Sequence, residues 1–181
     1  MLCQIPAQMK RLIFLFSFLT LVAACQKESN KDLNSQRIYF EHYAINYAWG
    51  LSYVHWIIDN EGNVLTNRKK EVVIWNNNEE MNEGIIKFDS VIYKIDKNEL
   101  EQYVSLIEAA SKGQIDSSEQ HRADFGKTVY NCYYYDKQGS AYRAILLSEM
   151  SDMIDKSNLD NNAIKIDNWL KCIHGKIYSK I

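Results

Sequence analysis

A single proline, Pro6, occurs in the 181 residues. Beyond it no prolyl bond can slow folding by cis–trans isomerisation. Motifs that announce chemistry are missing too: the chain has no G-x-S-x-G, P-loop, dinucleotide fingerprint, H-E-x-x-H or C-x-x-C. No catalytic residue, metal ligand set or cofactor is therefore assigned, and the reading leans away from an enzyme. No basic excess is present either, with 21 Lys and Arg against 23 Asp and Glu. That balance argues against non-specific nucleic-acid binding, which needs a cationic surface. Finally, no apolar run approaches the ~20 residues a membrane-crossing helix requires.

What is present begins near the amino terminus. Lys10-Arg11 precede Leu12–Leu21 (LIFLFSFLTL), an almost purely apolar stretch, and the small residues Ala23-Ala24 come before Cys25. A positive start, a short apolar middle and a small-residue cleavage site are the parts of a secretory signal peptide. Met1 and Met9 both stand as translation starts, and Met9 lies directly before Lys10. Leu21-Val22-Ala23-Ala24-Cys25 resembles the lipobox of bacterial lipoproteins. In that family the cysteine thiol receives a diacylglycerol, the signal is cut just before it, and the new amino terminus is usually acylated. The resemblance implies that residues 1–24 are removed and that Cys25 is the lipid attachment residue and the membrane partner. Several acyl chains, at ~0.8 kcal/mol per buried methylene, anchor durably. Residue 26 is Gln rather than the aspartate that resembles an inner-membrane retention signal, so the resemblance favours the outer membrane.

Removing Lys10 and Arg11 with the signal leaves 19 basic and 23 acidic residues, a net charge of −4. Residues 25–37 read as the lipidated cysteine and a polar tether (QKESNKDLNSQ). Residues 38–181 are long enough for one domain.

Within that domain, large residues alternate with small ones from Tyr43 through Tyr53, predicting a strand that runs on to Asp59. Gly50 marks a bulge or a bend in it. Asp59-Asn60-Glu61-Gly62-Asn63 predicts a hairpin turn, with Val64–Thr66 returning; Glu71–Trp75 is another strand candidate. Asp96 predicts a helix N-cap, Glu99 its capping-box partner and Gly113 its C-terminal glycine, with Leu100, Tyr103, Val104, Ile107 and Ala110 as the apolar stripe. A second hairpin follows over 128–147 around Asp136–Ser140. The last helix spans about Leu159–His174, capped by Asn158 or Asp160 and stopped by Gly175, with Ala163, Ile166, Leu170 and Ile173 facing inward. The expected architecture is α+β: an antiparallel sheet of two hairpins, each followed by a helix packed on one face, as in a ββα duplication. Its other face would be wet or open to a partner.

Cys132 and Cys172 remain after Cys25 is lipidated, and an oxidising compartment permits a disulfide between them; two separate thiols fit the sequence equally well. Zinc from His121, Cys132, Cys172 and His174 lacks ligand spacing. Glu41-His42, or His55 with Asp59, make acid–base pairs on paper, as happens by chance in any chain this size. Aromatic side chains are the compositional oddity. Tyr133, Tyr135, Trp49 and Trp56 are the candidate ligand-facing rings, suited to a protein interface or to stacking on sugars. Two functions follow: a lipid-anchored, non-catalytic interaction or inhibitor-like module that binds an envelope protein, or a surface lipoprotein that binds or processes glycans.

Overall fold

Asn46 ends the first strand early. The computed structural model, which describes residues 36–48, 50–67, 73, 75, 78–136 and 141–179, divides the alternating segment into β1 (Ile38–Asn46) and β2 (Ser52–Asp59). Asn46 Oδ1 accepts from Ala48 N at 2.8 Å, and Gly50 takes φ +103°, so the chain reverses where one continuous strand was expected. The next turn is the predicted one. Asp59 Oδ1 accepts from the backbone N–H groups of Glu61 (2.9 Å) and Asn63 (2.8 Å), while Gly62 adopts φ +82°. β3 (Asn63–Thr66) returns from it. Of the Glu71–Trp75 strand candidate only Val73 and Trp75 are described, and neither is in a strand.

The chain continues through α1 (Asn78–Ile85), β4 (Ser90–Lys94), α2 (Lys97–Val104), α3 (Ile107–Ala110) and β5 (Ile115–Glu119). It then forms β6 (Lys127–Asp136), β7 (Ala141–Ser151), β8 (Ile154–Asn158) and α4 (Asn161–Tyr178). Asp96 caps α2 through Asn98 N and Glu99 N, as expected. The predicted single helix is nevertheless broken at Ser105–Leu106. Glu99 closes no capping box; its Oε1 accepts from Trp169 Nε1 at 2.8 Å and ties α2 to α4. Gly113 is required for close approach, since a Cβ there would lie 1.8 Å from Asn158 Oδ1. Asp160 caps α4, and Gly175 sits inside that helix instead of ending it.

The eight strands among the described residues form one sheet in the order β4-β3-β2-β1-β6-β7-β8-β5, with antiparallel pairing throughout. Both expected hairpins exist, β1, β4, β5 and β8 add to them, and the described elements do not confirm a repeated ββα unit. Helices also cover both faces, contrary to the one-faced expectation. On one, Phe40, Trp56, Ile58, Tyr130 and Cys132 pack under Leu100 of α2, Ile107 of α3 and the Ala163–Ile177 stripe of α4. On the other, Ile38, Ile57 and Tyr133 pack under Met81 and Ile85 of α1 together with Val73 and Phe88. A register shift between Ile38 and Phe40 sends these two residues to opposite cores, although strict alternation would place them on one face.

Candidate functional site: a buried carboxylate and histidine network

Neighbouring residues of a strand face opposite ways, so Glu41 and His42 are separated by the sheet and do not pair. Glu41 lies beside Asn131 of β6 and Ile57 of β2 in the register, on the α1 side. There its Oε1 accepts from His55 Nε2 at 2.8 Å. Its Oε2 accepts from Asn131 Nδ2 at 3.0 Å and from the Tyr133 hydroxyl. A carboxylate offers about four lone-pair sites, and three donors occupy them here. His55 Nδ1 meets the Tyr53 hydroxyl, which also accepts from Val73 N at 3.1 Å. Trp75 Nε1 donates to the Tyr133 oxygen at 2.8 Å, and Phe88 stands edge-on to the His55 ring at 4.6 Å.

Glu41, His55 and Tyr133 are each no more than 3% exposed. Burial, followed by the nearby Glu41 charge, raises the Tyr133 phenol well above its ordinary value and keeps it a donor. Burial likewise pushes Tyr43 and Tyr53 up to about 12. The network contains an acid, an imidazole and phenols in proton-transfer contact, with Glu41, His55 and Tyr133 buried and Tyr53, Asn131 and Trp75 half-buried. Its bonds tie β1, β2 and β6 to Val73 and Trp75. Asp59 plays no part, because its carboxylate is committed to the β2–β3 turn.

On the opposite face His42 stacks on Tyr130 at 4.4 Å, lies 5.0 Å from Trp56 and meets the His174 ring edge-on at 4.6 Å. Its Nδ1 is 3.1 Å from the Val129 carbonyl and donates to it. His42 Nε2, His174 Nδ1 and Trp56 Nε1 find no partner among the described residues. Burial above all, with His174 adding to it, pushes His42 down to about 3 although the Val129 bond works the other way; burial also lowers His174.

The rings singled out in the sequence are dispersed. Trp56 and Tyr133 are buried in opposite cores, Tyr135 stands against Tyr142 at 5.1 Å, and Trp49 lies outside the described residues. Two of the four rings are thus withdrawn from solvent. Cys132 is a buried free thiol and Cys172 an exposed one, because Cys172 falls on the outer side of α4, away from its Leu170 and Ile173 stripe. A bridge would need that side chain to leave its helix face. Among the described residues no group of three His, Cys, Asp or Glu side chains is placed to hold a metal ion. The Glu41–His55 pairing escaped the sequence reading. Its one available signal was parity, since both residues occupy the α1-facing positions of two strands.

The comparisons with known proteins bear on the amino terminus. Residues 9–26 match the prokaryotic membrane lipoprotein lipid attachment site. The match spans the basic start, the apolar segment and Cys25, and implies membrane anchoring in the cell envelope through that lipidated cysteine. No curated protein and no solved structure matches the chain. No helix among the described residues is long and apolar enough to cross a membrane.

Proposed function

We propose that the protein is an outer-membrane lipoprotein whose folded domain is a non-catalytic module that binds, in inhibitor-like fashion, another protein of the envelope. The lipid attachment match at residues 9–26, with Gln26 after the cysteine, is the observation that carries the reading. The burial of the Glu41–His55 pair supports the non-catalytic part, since the most enzyme-like pairing among the described residues is spent on the core. Both broad faces of the sheet carry helices, which directs partner binding to an edge. β5 stands last in the strand order and is exposed along Ile115–Glu119. An edge strand offers backbone groups to a partner strand.

Two experiments test this. Cys25→Ser should release the protein from membranes, and density separation of the envelope should place the wild type in the outer-membrane fraction. A photo-crosslinking residue at Ser117 in the lipidated, cell-expressed protein should yield a discrete heterologous adduct. A wild type that travels with the inner membrane would overturn the location. A Ser117 probe that never crosslinks would overturn edge binding.

A further inference from the structure

Three loops meet at the end of the sheet where β1, β7 and their neighbours turn, and they are hydrogen-bonded into one surface. Asn46 Nδ2 donates to the carbonyls of Asp124 (3.0 Å) and Phe125 (3.1 Å). Asp152 Oδ1 accepts from Phe125 N (2.6 Å) and Gly126 N (2.8 Å), and Gln120 N donates to Met153 O at 2.7 Å. Gly126 makes this closure possible: it holds φ +78°, and a Cβ there would meet Ile45 O at 2.1 Å. The surface so fixed shows large apolar side chains to solvent. Tyr47 and Met153 are each 71% exposed, Leu51 is 60% exposed, and Phe125 and Ile154 are also open. Of the nearby cations, Arg122 is matched by Asp155 at 2.6 Å, and Lys127 (2.9 Å) shares Glu149 with Lys156 (3.2 Å). The Arg122 guanidinium also lies over the Phe125 ring, 5.2 Å from its centroid.

Scattered surface apolar residues need no explanation, but a set gathered on loops bonded to one another does. We propose that this end of the sheet is a second membrane contact, seated in the headgroup layer of the same bilayer that holds lipidated Cys25. The inference rests on the lipid attachment at that residue. Amphipathic rings such as Tyr47, beside Leu and Met, suit the boundary between headgroups and acyl chains. The chain length permits it. From Cys25 to Gln36, full extension spans about 36–40 Å, whereas β1, from Ile38 to the loop end at Asn46, rises about 30 Å. A tether of that length is therefore sufficient for this end of the domain to meet the bilayer. Since Arg122 is neutralised by Asp155 and the exposed side chains are apolar, contact is apolar in origin and does not require anionic lipid.

The test uses the full lipidated protein in phosphatidylcholine vesicles. An environment-sensitive fluorophore is placed at Met153→Cys, at Leu51→Cys, or at Ser117→Cys on β5 as reference, each with Cys172→Ser to remove the exposed native thiol. Flotation with the vesicles reads the Cys25 anchor separately, so failure of anchoring and failure of the second contact are distinguishable. The labels at 51 and 153 are expected to shift to the blue and to be quenched by headgroup-level quencher lipids, and the label at 117 is not. Replacing the unlabelled member of the 51/153 pair by Glu should reduce both signals toward those at 117. Floating protein whose labels at 51, 153 and 117 behave alike would overturn the proposal. So would a blue shift that grows with protein density at constant lipid, since that identifies a second copy as the occupant.

Discussion

His55 Nε2 and Glu41 Oε1 stand 2.8 Å apart with neither side chain more than a few per cent exposed. Two residues 14 positions apart in sequence thereby join adjacent strands, and the Tyr133 and Asn131 donors bring in a third. Removing one member of a buried pair leaves the other unpaired in a poorly solvating interior. Glu41→Ala should therefore cost about 3–5 kcal/mol of unfolding free energy, and Tyr133→Phe about 1–3. Urea unfolding with a Glu41/His55 double-mutant cycle measures this. Additive single effects would show that the two side chains do not act together.

His42 should make the protein acid-sensitive. The unfolded chain binds a proton below about 6.5, whereas native His42 binds one only near 3. A group with its folded value depressed in this cationic sense favours the unfolded state as pH falls. Stability is kept above pH 6.5 and lost on acidification toward 3, with a slope reaching about 1.4 kcal/mol per pH unit from this residue. Comparing urea midpoints of wild type and His42→Phe across pH 7 to 4 tests the sign. The variant should show a flatter acid limb, and parallel profiles would remove His42 as the cause.

Glycines 113 and 175 should respond oppositely to alanine. At Gly175 a Cβ meets nothing within 4 Å and the residue lies within α4, so Gly175→Ala should stabilise by up to about 1 kcal/mol. At Gly113 the added carbon would collide with Asn158 Oδ1. That side chain is committed to the carbonyls of Ala110 (3.1 Å) and Leu146 (3.2 Å) and to Asp160 N (3.0 Å). Gly113→Ala should thus destabilise. Thermal melts of the two variants should shift in opposite directions.

The thiols should report their own placement. Burial holds the Cys132 thiol far above its ordinary value, so the native, lipidated protein should take up one equivalent of alkylating reagent, at Cys172. Unfolding without reductant should expose a second at Cys132. Mass spectrometry of the labelled peptides decides, and an unlabelled pair in the unfolded, non-reduced chain would mean a bridge.

Much of the local structure was written in local residues. The Asp59–Asn63 turn, the Asp96 and Asp160 caps and the inward stripe of α4 depend on side chains within a few positions of the backbone they serve, so spacing alone discloses them. The α+β class and the lipid attachment at Cys25 are of the same kind, since both follow from contiguous patterns. β5 was illegible for the opposite reason. Ile115–Glu119 (IDSSE) has no apolar alternation because it is exposed at the sheet edge, and pairing with β8 rather than burial makes it a strand.

The tertiary structure decided everything that depends on which strands become neighbours. Glu41 finds His55 instead of His42 because the pleat sends adjacent residues to opposite faces. Trp56 and Tyr133, which look alike as exposed aromatic candidates in a linear reading, lie in different cores because helices cover both faces. The sequence by itself determined the membrane anchor, the turns and the caps, where short-range chemistry suffices. Long-range pairing of β1 with β6, some 90 residues away, brought the buried carboxylate its Asn131 and Tyr133 donors, and no local pattern encodes a contact at that separation.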